Sequence, residues 1–176
     1  MRTKKNILIT GPPGIGKTTI MKKLAQKLED TGPAGFYTAE IREGGVRQGF
    51  ELVGLNGRKG LLSHIDIKSP YHVGRYGVDI RGFEIFLDAL ALTGPNARLV
   101  MIDEIGKMEC LSQRFKTVVR TVLDSGKAVI ATIALKGPGF IAEVKEREDA
   151  MLFEMTLENR DSLAEEILRH VKTSYD

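Results

Sequence analysis

One cysteine, Cys110, is all that the 176 residues contain. No intramolecular disulfide can form, and a cysteine-rich metal site is excluded. Histidine is nearly as scarce: His64, His72 and His170 stand far apart, without ligand spacing. No apolar run approaches the eighteen or so residues of a membrane span. The apolar part of the opening "MRTKKNILIT" is also too short for a signal peptide. Polybasic blocks, internal repeats, low-complexity tracts and linkers are missing too. The net charge of +3 leaves room for an anionic ligand but does not argue for nucleic acid by itself. A pI near 9.0 keeps nucleic acid open as an added partner, with no recognition module to support it. These absences leave a soluble, cytoplasmic, monomeric protein as the expectation.

What is present is globular in character. Apolar residues make up 42% and charged residues 28%, close to ordinary domain averages. The length suits one domain over residues 1–176. Short apolar runs alternate with amphipathic stretches, the pattern of a layered α/β domain with a mostly parallel sheet. Buried strands are expected at Asn6 to Thr10, in "RLVMID", in "AVIATIA" and at Ala150 to Thr156. Helices are expected at Lys17 to Leu28, Ile80 to Leu92, Cys110 to Leu123, Phe140 to Lys145 and Asp161 to His170. Phe36 to Ile41 and Gly49 to Leu55 flank Gly44-Gly45, with another turn at Asn56-Gly57, which predicts an antiparallel hairpin or meander attached to the core. Residues 63–79 read as a loop with a short strand.

Between the first strand and the first helix lies "GPPGIGKT". Gly11, Pro12, Pro13, Gly14, Ile15, Gly16, Lys17 and Thr18 fit G-x-x-x-x-G-K-[ST] at every position. Glycines allow unusual backbone angles and the close approach of an anion. Backbone N–H groups from Gly14 to Thr18 are the expected phosphate donors, aided by the helix N-terminus. Pro12 and Pro13 have no N–H to give, and a fixed φ on the outer arm stiffens the turn without removing a needed donor. Lys17 brings a mobile positive charge to the β- and γ-phosphates, and the Thr18 hydroxyl is suited to Mg²⁺. Thr19 is a second hydroxyl at the helix start, with contact to the α-phosphate as a further role.

"RLVMIDEIGKME" supplies the second half. An apolar strand ending in Asp103 has the form of a Walker B element, whose carboxylate holds Mg²⁺ through water. Glu104 follows, where a carboxylate can take a proton from an attacking water while Asp103 serves the metal. Capping of the next turn is its plainer role. Lys107, three residues on, either stabilises charge on the transferred phosphoryl group or is a solvated surface lysine. Thr132 is either a hydroxyl at the sheet edge near the γ-phosphate or a β-branched core residue. Arg147 and Arg160 are candidate positive groups near the nucleotide, with surface ion pairs as the alternative.

Assembled, the sequence resembles the small P-loop nucleoside-triphosphatase family of thermophilic microbes and animals. "GPPGIGKTT", "GFYTAEIREGGVRQGFELV", "DEIGKMECLSQRF" and the tail "VKEREDAMLFEMTLENRDSL" carry the likeness, over about residues 5–170. The resemblance implies a three-layer P-loop fold with an antiparallel hairpin extension. It also implies Mg²⁺-dependent hydrolysis of ATP, GTP and other triphosphates to diphosphates, with broad base tolerance. By the same resemblance, Val100, Met101, Ile102, Asp103, Glu104, Ile105, Gly106 and Lys107 belong to the nucleotide site. Tyr37 and Arg47 also match the family's pattern. Two other readings compete. A nucleotide or small-molecule kinase would need an acceptor pocket, for which Arg75 and Arg81 are candidates. An AAA+ module would need a helical lid domain, for which the roughly twenty residues after the last expected strand leave no room.

Overall fold

The structure is a computed structural model that describes residues 5–175; the basic opening residues 1–4 and the final residue 176 lie outside it. Five parallel strands form the heart of the sheet. They are β1 (Asn6–Thr10), β2 (Ala34–Glu43), β7 (Leu99–Ile105), β8 (Ala128–Ile133) and β9 (Ala150–Glu154). The sheet continues through β3 (Val46–Gly54), β4 (Lys59–His64), β5 (His72–Val73) and β6 (Tyr76–Val78). Its order is β5-β6-β4-β3-β2-β7-β8-β1-β9, antiparallel from β5 to β2 and parallel from β2 to β9. Strands β1 and β8 are buried along their whole lengths, as strands covered on both faces must be.

Helices cover both faces. One face packs Phe83, Phe86 and Leu87 of α2 (Ile80–Leu90) and Phe115 and Val119 of α3 (Gln113–Asp124) over Phe36, Val100, Ile102 and Val129. Phe36 meets Phe83 and Phe86 edge to face at 6.0 and 5.8 Å. The other face packs Ile20 and Leu24 of α1 (Lys17–Lys27) and Ile167 of α5 (Leu163–Tyr175) over Ile7, Ile9, Met101 and Ile130. The result is the expected three-layer α/β sandwich with an antiparallel extension. Among the described residues no helix is long and apolar enough to cross a membrane.

Two stretches differ from the sequence expectation. Cys110 to Leu123 is not one helix: a 3₁₀ turn, Glu109–Leu111, comes first, and α3 begins only at Gln113. Ser112 makes the break, because its hydroxyl accepts the Phe115 N–H at 3.0 Å and so caps the new helix. Residues 63–79 hold more structure than a loop, since β5 and β6 pair as a small hairpin that extends the sheet beyond β4. A short helix, α4 (Phe140–Lys145), lies between β8 and β9.

Candidate active site

The parallel strands direct their carboxyl ends to one edge, and the chemistry gathers there. Strand β1 ends at Thr10, and α1 starts at Lys17. Between them the loop turns through Gly14 (φ 77°) and Gly16 (φ 115°), angles that a side chain at either position would strain. Ile15 is the loop's anchor, buried in the core beneath it. Pro12 and Pro13 are exposed on the outer arm. The Pro12 carbonyl accepts the Ile15 N–H at 3.2 Å, so one expected phosphate donor is engaged within the loop. Lys17 curls back over the same arm, and its ammonium donates to the Gly11 carbonyl at 2.7 Å and the Pro12 carbonyl at 3.3 Å. These carbonyls occupy the coordination that phosphate oxygens would take from the lysine. Thr19 is exposed at the start of α1.

Across from the loop, β7 delivers Asp103 and Glu104. Ile102 pairs with Ala131 and Ile105 with Ile133, so Asp103 and Glu104 together stand opposite the single residue Thr132. Such an irregularity re-aims side chains at a strand end. Asp103 is buried, and each of its carboxylate oxygens accepts a hydroxyl. Thr18 donates to Oδ2 at 2.7 Å and Thr132 to Oδ1 at 2.6 Å. Burial pushes the Asp103 carboxyl up, while Thr132, Thr18, the Thr38 backbone and the Lys17 charge pull it down. The net direction is upward because burial is the largest influence, and the two hydroxyls, the Thr38 backbone and the Lys17 charge limit the rise. Thr18 and Asp103, 85 positions apart in sequence, thus meet within hydrogen-bond distance. Their hydroxyl and carboxylate oxygens are hard donors that fit Mg²⁺ while leaving positions for water and phosphate.

Glu104 is half-buried beside this pair. Burial raises its pKa, Lys17 opposes the rise and Asp103 adds to it. A carboxyl poised above its ordinary range is a better proton acceptor from water.

The remaining candidates divide. Ile105 and Gly106 are buried at the end of β7, and Lys107 is exposed on the loop that follows. Val100, Met101 and Ile102 lead into Asp103 and Glu104, and their side chains belong to the core, packed between the sheet and its helices. Arg147 is far from the phosphate loop. It pairs with Asp124 and Asp149, each at 2.7 Å, and Asp149 immediately precedes the β9 residue that pairs with Asn6, the first residue of β1. That is the amino edge of the sheet, opposite the loop. Arg160 lies on the correct edge, exposed in the turn after β9. Arg47 stacks over Phe50 and Tyr76 and donates to the Tyr76 hydroxyl at 2.9 Å. Tyr37 carries the Lys22 ammonium 4.7 Å from its ring centre.

Three contributors escaped the sequence reading. The Thr38 backbone reaches Asp103 because β2 lies beside β7. Met155, just past β9, walls the phosphate loop: its carbonyl lies 2.8 Å from where a Gly11 Cβ would stand, and its methyl 3.4 Å from that of Gly16. Glu109 is a buried carboxyl under the loop after Glu104. Nothing in the residue types marks these positions; only the strand order and the 3₁₀ turn reveal them.

A family model described as NTPase matches residues 6–168. The chain belongs to the NTPase family. Nucleoside-triphosphatase THEP1 of Thermotoga sp. (strain RQ2) is 46% identical over 167 residues, covering 94% of this chain and 95% of that protein. The cancer-related nucleoside-triphosphatase of Homo sapiens is 38% identical, covering 97% and 98%. The crystal structure of THEP1 from the hyperthermophile Aquifex aeolicus superposes with a TM-score of 0.83 at 34% identity, over 95% of this chain and 99% of that one. In each of these NTPase-family comparisons the match covers more than nine tenths of both chains.

Proposed function

We propose that this NTPase-family chain hydrolyses nucleoside 5′-triphosphates, ATP and GTP among them, to the diphosphate and phosphate, with broad base tolerance. The observation that carries the reading is the meeting of Thr18 and Asp103 at 2.7 Å under a phosphate loop, with Glu104 half-buried alongside. The names of the relatives, nucleoside-triphosphatases, support the same activity.

The roles follow from chemistry. Amides of the loop and of the first turn of α1 bind the β-phosphate, and Lys17 exchanges its carbonyl partners for phosphate oxygens. Thr18 and Asp103 would hold Mg²⁺, the carboxylate through water. When bound, Mg²⁺ neutralises charge on the β- and γ-phosphates. Glu104 orients a water in line with the γ-phosphorus and takes its proton as the P–O bond to the diphosphate breaks. Lys107 faces the charge that develops on the transferred group. The kinase alternative is the weaker one. Arg75 is spent on the Arg47 carbonyl and the Tyr76 hydroxyl, and Arg81 is exposed on α2.

Glu104→Gln is expected to bind nucleotide normally yet lose about 100-fold or more in kcat, the usual worth of a positioned base. Lys17→Ala is expected to lose binding and turnover together. Phosphate release and diphosphate binding measured on both variants check this. Wild-type turnover in Glu104→Gln would overturn the assignment, and faster transfer to an added acceptor than to water would favour the kinase.

A further inference from the structure

A second carboxyl lies beneath the loop that carries Glu104. Glu109 opens the 3₁₀ turn Glu109–Leu111 and is 6% exposed. The Cys110 N–H donates to the Gly106 carbonyl at 3.0 Å and folds the turn back under the loop. A Cβ on Gly106 would stand 2.8 Å from Glu104 Oε1 and 2.9 Å from Glu109 Oε2. The two oxygens are therefore no more than 5.7 Å apart, the sum of those distances. That range admits a direct hydrogen bond or a single bridging water. Among the described residues no Lys, Arg or His forms an ion pair with Glu109.

The Glu109 carboxylate accepts from the backbone N–H groups of Gly106 and of Glu109 itself, which favour the charge, but burial with no cation beside it outweighs them and favours the proton. Burial pushes Glu109 up to about 8, and the Glu104 charge adds to the rise. The other titratable groups around it are Asp103 on β7 and Cys110 on its own turn; Lys17 of α1 acts on Glu104, and Lys116 of α3 acts on Cys110. A protonated Glu109 is a donor facing an acceptor.

We propose that Glu109 is the positioning residue for Glu104: its carboxylic O–H donates to the Glu104 carboxylate, directly or through one water, and fixes which oxygen faces the attacking water. Glu109 keeps its proton throughout. The proton taken from water rests on Glu104, which is half-buried, and leaves from there to solvent. The inference rests on Glu104 being the base. An ionised Glu109 would repel Glu104 and loosen the same geometry.

Glu109→Leu, Glu109→Gln and Glu104→Gln, assayed with Mg-ATP and with a fluorescent ADP analogue, test the idea. Glu109→Leu is expected to lose about tenfold or more in kcat, with diphosphate affinity within about threefold of wild type. Glu109→Gln, whose amide still donates, is expected to sit several times above the leucine variant. It is also expected to lack the fall in kcat that the wild type shows as pH rises through about 8. A leucine variant within about twofold of wild-type kcat, beside an inactive Glu104→Gln, would overturn the positioning role and leave the base assignment standing. Equal loss of affinity and kcat in Glu109→Gln would also overturn it, making Glu109 a strut of the loop. Full activity in Glu104→Gln would sink both.

Discussion

Glu109→Gln also probes whether the buried carboxyl carries a proton through folding, independently of turnover. In the folded protein burial raises Glu109 from an ordinary 4.5 to about 8. The unfolded chain restores the ordinary value, so between these two pH values the folded state binds the extra proton. The stability this contributes is fully present below about pH 4.5 and is lost as pH rises through about 8. At about 1.36 kcal/mol per pH unit, the interval from 4.5 to about 8 is worth on the order of 5 kcal/mol. Relaxation of the site around the new charge lowers that figure, to roughly 2 kcal/mol at the least. Glutamine keeps the shape and removes the titration. Urea unfolding of both proteins from about pH 5 to about pH 9 is the assay, with other groups cancelling in the difference. The gap in favour of the glutamine variant is expected to widen over this pH range by roughly 2–4 kcal/mol, at matched m-values. Parallel profiles, with a gap constant to about 0.5 kcal/mol, would refute the reasoning. A gap that narrowed with pH would point to a cation stabilising ionised Glu109.

Two further outcomes follow from the same geometry. Thr132→Val removes a 2.6 Å donor from the buried Asp103 carboxylate and is expected to cost about 1–3 kcal/mol in denaturant unfolding. It also lets the Asp103 pKa rise further, so affinity for Mg-nucleotide should weaken more at acidic than at neutral pH; titrations at both pH values decide, and an equal loss would count against it. Arg147→Ala breaks ion pairs at the amino edge and is expected to cost about 1 kcal/mol while kcat stays at the wild-type value. A loss of about a thousandfold in kcat would instead restore Arg147 as a group acting on the phosphates.

Much of the architecture could be read from the chain because periodicity, glycine placement and burial agree with one another. The phosphate loop was legible from residue types alone, since few arrangements need that spacing of glycines, lysine and threonine. Asp103 and Glu104 were legible from their place after an apolar strand. Val100 to Ile102 adjoin the site in sequence, yet a strand covered on both faces turns such side chains into the two cores. Arg147 was open between the nucleotide and a surface ion pair, and its bonds to Asp124 and Asp149 bear out the ion pair; nearness to the last strand does not say which edge of the sheet a residue occupies. The break before α3 depended on one hydroxyl at Ser112, a local competition that apolar periodicity does not register. Glu109 was hidden because the 3₁₀ turn, not its residue type, drives it inward.

Met155 gives the phosphate loop a neighbour from the far end of the chain. Its N–H donates to the Thr10 carbonyl at 2.7 Å, its carbonyl closes on Gly11, and its methyl rests near Gly16. Strand β9, which leads into it, lies at one edge of the sheet and, among the described residues, pairs only with β1. If a bound phosphate tightens the docking of β9, then a change that tightens β9 must raise phosphate affinity by the same factor. Such a link would run through an edge strand that contributes none of the groups assigned to phosphate, metal or water.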